Sequence, residues 1–418
     1  MSNVHPEKHF RLSREQRLLL LLILSVAFGV RLWAVLFVPA DVVADASDYH
    51  RLATDLARGS GYVNSDGIAT AWRPPGYPVF LAAIYVITGP SVRAATVVQA
   101  LLGAGTVLLI AWLGSLFVNR GVGLIAGAIA AVYPAFFWLP RVLLSENVAL
   151  FLIVAALIAA TFLLRSGKGV YAIALGLALG FATLVRGATL PVAMMLLAGV
   201  AVSAWRRKKL RALGGSALLA GVAFVITLLP WAVRNYVVFN RVVLTTQEGF
   251  GLYASYWPPE INGKRIWGNL PGDEDPVVHA ASQRGNEVAA SDYFTAETRR
   301  RLTQDPMRAV RVLPEKMISL AAPFDWEWFP HAAGASRSFN LGYVLLLPFV
   351  LAGAWLWWRR RVADQWVLWI VPVSVLLQSA IFYGSPRFRL PAEPIAIILA
   401  ALTVSVIYNF LKTRPTSQ

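Results

Sequence analysis

The sequence has 418 residues, of which 57% are hydrophobic and 14% charged, and this composition excludes a set of soluble domains and a disordered chain. It contains no cysteine, which excludes a disulfide framework, a thiolate metal site and a cysteine nucleophile. The formal net charge is +16, but the largest basic clusters, at 206–211 and 359–361, follow directly on apolar stretches and therefore indicate membrane topology before nucleic-acid binding.

Apolar stretches long enough to cross a bilayer recur along the chain. A helix needs roughly 20 apolar residues to cross a hydrocarbon core of ~30 Å, because all its backbone polar groups must be satisfied internally. We predict an all-α polytopic membrane protein, a bundle of about ten transmembrane helices with two external loops that bear amphipathic helices. The ten predicted spans lie near 17–38, 91–117, 121–139, 146–164, 169–185, 189–205, 212–231, 339–358, 364–383 and 390–411.

Positive charges predict the orientation of these spans. Basic residues between Lys8 and Arg17 precede the first span, which places the N-terminus in the cytoplasm. Each later connection on that side also contains Lys or Arg. We therefore expect a multi-pass protein of the bacterial inner (plasma) membrane with both termini cytoplasmic. The chain then divides into a membrane module at 1–231, an external region at 232–338 and C-terminal helices at 339–418.

The first external loop, 39–90, contains two helical patterns. Residues 47–56 place Tyr49, Leu52 and Leu56 on one face, which predicts a helix along the membrane surface. Residues 76–88 are apolar but too short to span, which suits an interfacial or re-entrant helix. If this second segment did cross the membrane, every later orientation would invert.

Acidic residues are rare in the membrane module. Of 22 Asp and Glu residues, only Glu146 lies between Gly67 and Gln247. Asp45 and Asp48 stand three residues apart just after the first span, on one face of a helix. A functional role competes with ordinary helix capping, in which Ser145 or an acid in the first turn satisfies free N–H groups.

Arginines collect on the predicted external side. Arg73 stands before Pro74 and Pro75, which stiffen the backbone, and its guanidinium could hold a phosphate through two hydrogen bonds. The further external arginines are Arg141, Arg186, Arg234, Arg387 and Arg389. Each alone could reach lipid headgroups. Together they favour a basic mouth for an anionic lipid headgroup.

The order of these motifs resembles the GT-C fold membrane glycosyltransferases, in particular the protein O-mannosyltransferases and lipid A aminoarabinose transferases of glycosyltransferase family 39 type. The segments that carry the resemblance are 45–49, 73–78, 144–146, 184–187, 230–235 and 386–389. It implies a polyprenyl-phosphate sugar as donor and a lipid, glycan or protein acceptor on the outer side. Asp48 departs from the family pattern, and so does the short external region at 232–338.

The resemblance also implies roles for individual residues. Asp45 matches the catalytic aspartate and is expected to act as general base in an inverting transfer, with Asp48 as the second candidate. Glu146 matches an acidic residue of the second external loop, and we expect it to orient donor or acceptor hydroxyl groups. The arginines expected to bind the donor phosphate are Arg73, Arg186, Arg234, Arg387 and Arg389. Tyr49 and Tyr77 are expected to contact substrate.

No cofactor is expected, because several arginines can meet a monophosphate without a metal ion. The alternative is Mg²⁺ or Mn²⁺ held by Asp45, Asp48 and Glu146, since hard cations prefer carboxylate oxygens. Two other functions remain open, a transporter or flippase of lipid-linked sugars and a non-catalytic assembly factor. A transporter would more often carry acids in mid-span for ion coupling.

Overall fold

The computed structural model describes residues 12–38, 42–207, 213–261, 264–265, 272, 274–325, 338–360 and 364–413. Several residues used above to predict orientation, among them Lys8, Lys209 and Arg361, lie outside this part of the chain. The orientation of the bundle and its division at 231 and 338 stay predictions.

The first described half of the chain is helical. Its helices are α1 (Arg14–Phe37), α2 (Asp45–Ala57), α3 (Gly76–Thr88), α4 (Val92–Phe117), α5 (Arg120–Val132), α6 (Pro134–Trp138), α7 (Glu146–Ser166), α8 (Gly169–Val185), α9 (Leu190–Arg206) and α10 (Gly215–Phe239). Short 3-10 turns follow α6 and α8.

The second described half of the chain contains smaller helices, two pairs of two-residue strands and the last predicted spans. The helices are α11 (Glu248–Ala254), α12 (Pro276–Ser282), α13 (Glu287–Gln304), α14 (Met307–Ala321), α15 (Leu341–Arg360), α16 (Trp366–Ile381), α17 (Pro386–Arg389) and α18 (Glu393–Thr413). The antiparallel strand pairs are β1 (Glu260–Ile261) with β2 (Lys264–Arg265) and β3 (Phe324–Asp325) with β4 (Ser338–Phe339).

The predicted fold class, an all-α polytopic membrane protein, is confirmed. Seven of the described helices are long and apolar enough to cross a bilayer, or eight if the bent pair α5–α6 is one span. The two other predicted spans correspond to α8 and α16, with 17 and 16 residues. Both are shorter than the roughly 20 residues of a typical crossing, so the number ten stays a prediction.

The predicted span at 121–139 is not one straight helix. α5 and the segment that begins with α6 are bent by 57° at Pro134, which has no N–H to donate to the carbonyl of Ala130. Arg31 of α1 donates instead, through Nη2 to Ala130 at 3.2 Å and through Nη1 to Ala131 at 3.0 Å. A buried arginine in one span therefore satisfies the carbonyls exposed by the break in another.

The segment 42–90, predicted to be external, packs on the end of the helical bundle. As predicted, α2 buries Tyr49 and Leu52, which lie against the loop and α3. A Cβ on Gly76 would lie 2.7 Å from the carbonyl carbon of Leu184, so only glycine allows α3 to begin against the backbone at the end of α8. This close approach brings the segment before α3 next to Arg186.

Candidate active site

Six of the predicted site residues form a single group of ion pairs. They are Asp45, Asp48, Arg73, Glu146, Arg186 and Arg387. Two acids lie in the first turn of α2 and the third opens α7, while the arginines come from the segment before α3, the end of α8, and α17. We refer to these six residues as the carboxylate–arginine cluster.

Arg73 holds both acids of α2. Its Nη2 lies 2.6 Å from Asp45 Oδ1 and 2.9 Å from Asp48 Oδ2, and its Nε donates to the same Asp48 oxygen at 3.2 Å. Its Nη1 donates to Gln247 Oε1 at 3.2 Å. The guanidinium also lies 5.4 Å from the ring centre of Tyr49, a cation–π arrangement.

Arg387 joins the two halves of the cluster. Its Nη1 lies 2.8 Å from Asp45 Oδ2, and its Nε donates to Glu146 Oε1. Arg186 Nη1 lies 2.7 Å from the same Glu146 oxygen. The side chain of Glu146 is only 3% exposed, whereas that of Asp45 is 28% exposed, so Asp45 is the more accessible of the two acids that Arg387 joins.

Capping, the ordinary alternative for these acids, does not account for their contacts. The N-cap residue of α2 is Ala44, and no side chain makes a capping hydrogen bond there. Ser145 occupies the N-cap position of α7 but makes no capping hydrogen bond either. The carboxylates of Asp45 and Glu146 instead face guanidinium groups.

The electrostatics of Asp45 are set by two opposing effects. Burial alone would raise the pKa of its carboxyl group, but Arg387 and Arg73 outweigh burial and hold that pKa below its usual range. Asp45 is therefore ionised in the resting cluster. Burial likewise raises the pKa of Tyr49, which stays a neutral phenol.

The two predicted substrate-contacting tyrosines lie beneath the cluster. The Tyr49 hydroxyl lies 3.4 Å from Ser145 Oγ, and its ring meets Tyr77 edge to face at 4.8 Å between centres. The Tyr77 hydroxyl donates to Gln99 Oε1 at 2.5 Å, and Tyr77 is fully buried. The structure thus places Tyr77 as a support under Tyr49, without access to the surface.

Two predicted phosphate-binding arginines lie outside the cluster. Arg234 donates to the carbonyls of Thr70 at 2.8 Å and Tyr62 at 3.0 Å, so it holds the first loop. Arg389 pairs with Glu393 at 2.6 Å and also donates to backbone carbonyls at the end of α14. Carbonyl groups and Glu393 therefore engage these two arginines in the structure, and their expected contact with the donor phosphate stays a prediction.

Two residues that the sequence did not single out support Arg73. Gln247 is its direct partner. Glu287, at the start of α13, accepts hydrogen bonds from the Thr70 hydroxyl, from the Ala71 N–H at 2.9 Å and from the Thr246 hydroxyl at 2.9 Å. Their contacts with Thr70, Ala71 and Arg73 span more than 170 residues, so no local pattern could have revealed them.

Metal ligands of the usual kinds do not gather in the described part of the chain. No group of three His, Asp or Glu residues there has the arrangement of a metal site. In the carboxylate–arginine cluster, the oxygens of Asp45, Asp48 and Glu146 face arginine nitrogens. A divalent cation would have to displace those guanidinium groups.

Comparison with known proteins supports the resemblance over part of the chain. Residues 72–233 match the family described as dolichyl-phosphate-mannose-protein mannosyltransferase. This segment contains Arg73, Glu146 and Arg186 of the cluster, whereas Asp45 and Arg387 lie outside it. None of the curated proteins matches the sequence.

Solved structures extend the similarity to nearly the whole chain. The archaeal oligosaccharyltransferase AglB from Archaeoglobus fulgidus, in complex with an inhibitory peptide and a dolichol-phosphate, aligns over 97% of this chain with a TM-score of 0.57 and 13% identity. Its apo form aligns over 94% with a TM-score of 0.56 and 14% identity. This chain covers 53% and 51% of those chains, about half their length.

A third structure, ArnT from Cupriavidus metallidurans bound to undecaprenyl phosphate, aligns over 95% of this chain and 78% of its own. Its identity is 13% and its TM-score is 0.42, too low to support an argument. The similarity to AglB is sufficient to assign the fold. Residues 72–233, which match the family model, lie within the part of the chain that has this fold. The chain therefore has the fold of the GT-C membrane glycosyltransferases, and its residues 72–233 carry the pattern of the dolichyl-phosphate-mannose-protein mannosyltransferases.

Proposed function

We propose that this protein is a membrane glycosyltransferase that moves a sugar from a polyprenyl-phosphate donor to an acceptor on the outer side of a bacterial inner membrane. The observation that carries the proposal is the carboxylate–arginine cluster, in which guanidinium groups able to bind phosphate lie within 3 Å of carboxylates able to accept a proton. The acceptor is a lipid, glycan or protein hydroxyl or amine. Nothing in the cluster favours a transporter.

The charges of the cluster explain how donor binding could prepare the site. Its three arginines and three acids cancel in formal charge, and a polyprenyl-phosphate sugar brings one further negative charge at its phosphodiester. The donor phosphate must therefore compete with a carboxylate for guanidinium contacts. We expect Asp45 to be the carboxylate that is released, because it contacts both Arg73 and Arg387. It is also more exposed than Glu146, the other acid that contacts Arg387.

The reaction then follows from the groups present. The bond between the anomeric carbon and the phosphate oxygen breaks, and the electron pair leaves with the phosphate, whose added charge Arg73, Arg186 and Arg387 stabilise. The acceptor oxygen or nitrogen attacks the anomeric carbon from the opposite face, which inverts its configuration. Asp45 takes the proton from the acceptor. Glu146, held by two arginines, keeps those arginines in place and can meet sugar hydroxyls.

A pair of matched variants on α2 tests this proposal. We expect Asp45→Asn to lower the consumption of polyprenyl-phosphate sugar in nanodiscs by about 10²–10⁴-fold, the range for loss of a general base. Asp55→Asn, the same change on the same helix at a half-buried pair with Arg51 outside the cluster, should retain the activity of the unmodified protein. Full turnover by Asp45→Asn would refute the assignment of the base.

The metal alternative is decided in the same assay. We propose that the arginines act without a metal ion, so incubation with a chelator and its removal by gel filtration should leave the rate unchanged. Loss of activity that returns on addition of Mg²⁺ or Mn²⁺ would support a metal bound by Asp45, Asp48 and Glu146 instead.

A further inference from the structure

The external helix α14 has three distinct faces. Apolar side chains at 307, 310, 314, 317 and 318 recur at helical spacing on one face, where Met307 is 58%, Val310 57% and Ile318 71% exposed. A second face bears Arg311 and Glu315, which are exposed. The third face is buried, so the exposed apolar face is not the one by which α14 packs on the protein.

The buried face attaches α14 to the end of α16. Lys316 is fully buried and donates from Nζ to the carbonyls of Ala380 at 3.2 Å and Ile381 at 3.3 Å. Its ammonium also lies 3.9 Å from the ring centre of Tyr256. A Cβ on Gly384 would lie 1.8 Å from the Lys316 carbonyl oxygen, so the two backbones are in direct contact.

A second attachment holds the C-terminal end of α14. Arg389 donates from Nη1 to the carbonyls of Leu320 and Ala322, each at 3.1 Å. Both attachments involve cations at the C-terminal carbonyls of helices, where positive charge is favoured. The segment between them, 380–389, includes Arg387 of the carboxylate–arginine cluster. The position of α14 therefore constrains the position of Arg387.

The contacts with α16 also fix the position of α14 along the axis of that helix, at its C-terminal end. α16 is an apolar helix at a predicted span, and its last residue, Ile381, accepts the hydrogen bond from Lys316 while its side chain is 53% exposed. The exposed apolar surface of α16 therefore continues to the point where α14 begins to cover it. On a spanning helix such a surface faces lipid.

We infer that α14 is a membrane-surface helix, whose apolar face lies in the outer headgroup boundary of the bilayer and whose buried face positions Arg387. An apolar arc beside a charged one is the arrangement of helices that lie in this boundary. Continuity with the exposed surface of α16 identifies the occupant as lipid. The lipid contact stands independently of the proposed function, whereas its effect on turnover rests on that function.

Site-directed spin labels test the lipid contact directly, because the natural chain has no cysteine that would react. Ile318→Cys and its matched control Glu315→Cys are labelled and placed in nanodiscs of phosphatidylethanolamine and phosphatidylglycerol. The label at 318 should be relaxed by oxygen and protected from a water-soluble nickel complex, and the label at 315 should show the reverse. Equal access of the nickel complex to both labels would overturn the inference. Dipolar coupling between labels at 318 on two copies would do the same, since a second chain would then cover this face.

Turnover tests whether lipid contact positions Arg387. We expect Ile318→Asp to raise the KM for the polyprenyl-phosphate donor about tenfold, a loss of about 1.4 kcal/mol of binding, with a smaller change in kcat. Val310→Asp provides a second variant of the same face, and Glu315→Gln is the control that should match the unmodified enzyme. An unchanged KM in an Ile318→Asp protein that has lost its lipid contact would overturn the positioning role. Absence of turnover in the unmodified protein would instead count against the proposed function and would leave the spin-label result on lipid contact unaffected.

Discussion

The two guanidinium contacts of Asp45 stabilise its carboxylate in the resting site, but they would weaken Asp45 as the base that we propose. A carboxylate that lies 2.6 Å from Arg73 and 2.8 Å from Arg387 is strongly stabilised as an anion, which makes it a weak base. A donor phosphate that takes over one of these arginines would remove part of that stabilisation. The pKa of Asp45 should then rise when the donor binds, at the moment when a base is needed.

This change in pKa predicts different pH profiles for the two kinetic parameters. kcat/KM for the donor reports the free enzyme, in which the pKa of Asp45 is lowered, so its acid limb should lie below the usual range of an aspartate. kcat reports the donor complex, and its acid limb should lie at higher pH. Initial rates in nanodiscs across the acidic range measure both limbs. Coincident limbs would contradict the exchange of arginines.

Sequence could single out the acids and arginines that form the carboxylate–arginine cluster, but it could not tell which of the predicted arginines reach the cluster. Arg73, Arg186 and Arg387 reach the carboxylate–arginine cluster, whereas Arg234 and Arg389 donate to backbone carbonyls of other segments. The carbonyl that an arginine meets depends on chain segments far away in sequence. One signal was local, since Glu393 stands four residues after Arg389, the spacing of a helical ion pair.

At the scale of elements, apolar length predicted where helices lie but not where one breaks. Pro134 stands inside a continuous apolar stretch, and a proline in a span is tolerated where neighbours satisfy the freed carbonyls. The neighbour is Arg31 of α1, about a hundred residues earlier. Sequence shows only a basic residue near the external end of the first span, which is equally consistent with an arginine that reaches the headgroups.

Arg31 should therefore stabilise the bundle. Arg31→Met leaves the carbonyls of Ala130 and Ala131 without their donor, at a cost of about 1–3 kcal/mol for each buried group left unsatisfied. We expect a lower midpoint of thermal unfolding in detergent, whereas Arg14→Met, at the exposed start of the same helix, should leave the midpoint unchanged. Equal stability of Arg31→Met and the unmodified protein would show that the break needs no donor from α1.

At the scale of the whole molecule, the described parts of the two segments predicted to be external are joined around Arg73. The backbone of Thr246 donates to Ala71 at 3.0 Å, and the Thr245 hydroxyl donates to the Trp72 carbonyl at 2.8 Å. Glu287 adds α13 to this contact. Composition could separate the two external segments from the membrane spans, but it carries no information on pairing between segments this far apart.

Glu287 should consequently act as a positioning residue for Arg73, which it reaches through the backbone at 70–71 and through Thr246 beside Gln247. Glu287→Ala removes the acceptor of three hydrogen bonds, and those to charged groups contribute about 1.5–3 kcal/mol each. We expect donor KM to rise at least tenfold.

Glu287→Gln keeps an acceptor for the Ala71 N–H, so we expect it to restore part of the affinity for the donor. Glu297→Ala, on the same helix, loses only contacts with Arg300 and Arg301 and should bind the donor normally. A merely structural role would lower the thermal midpoint of Glu287→Ala without a change in donor KM, since the remaining folded molecules would bind as before. A raised KM in the folded protein, whether or not the midpoint also falls, is the result that only the positioning role predicts.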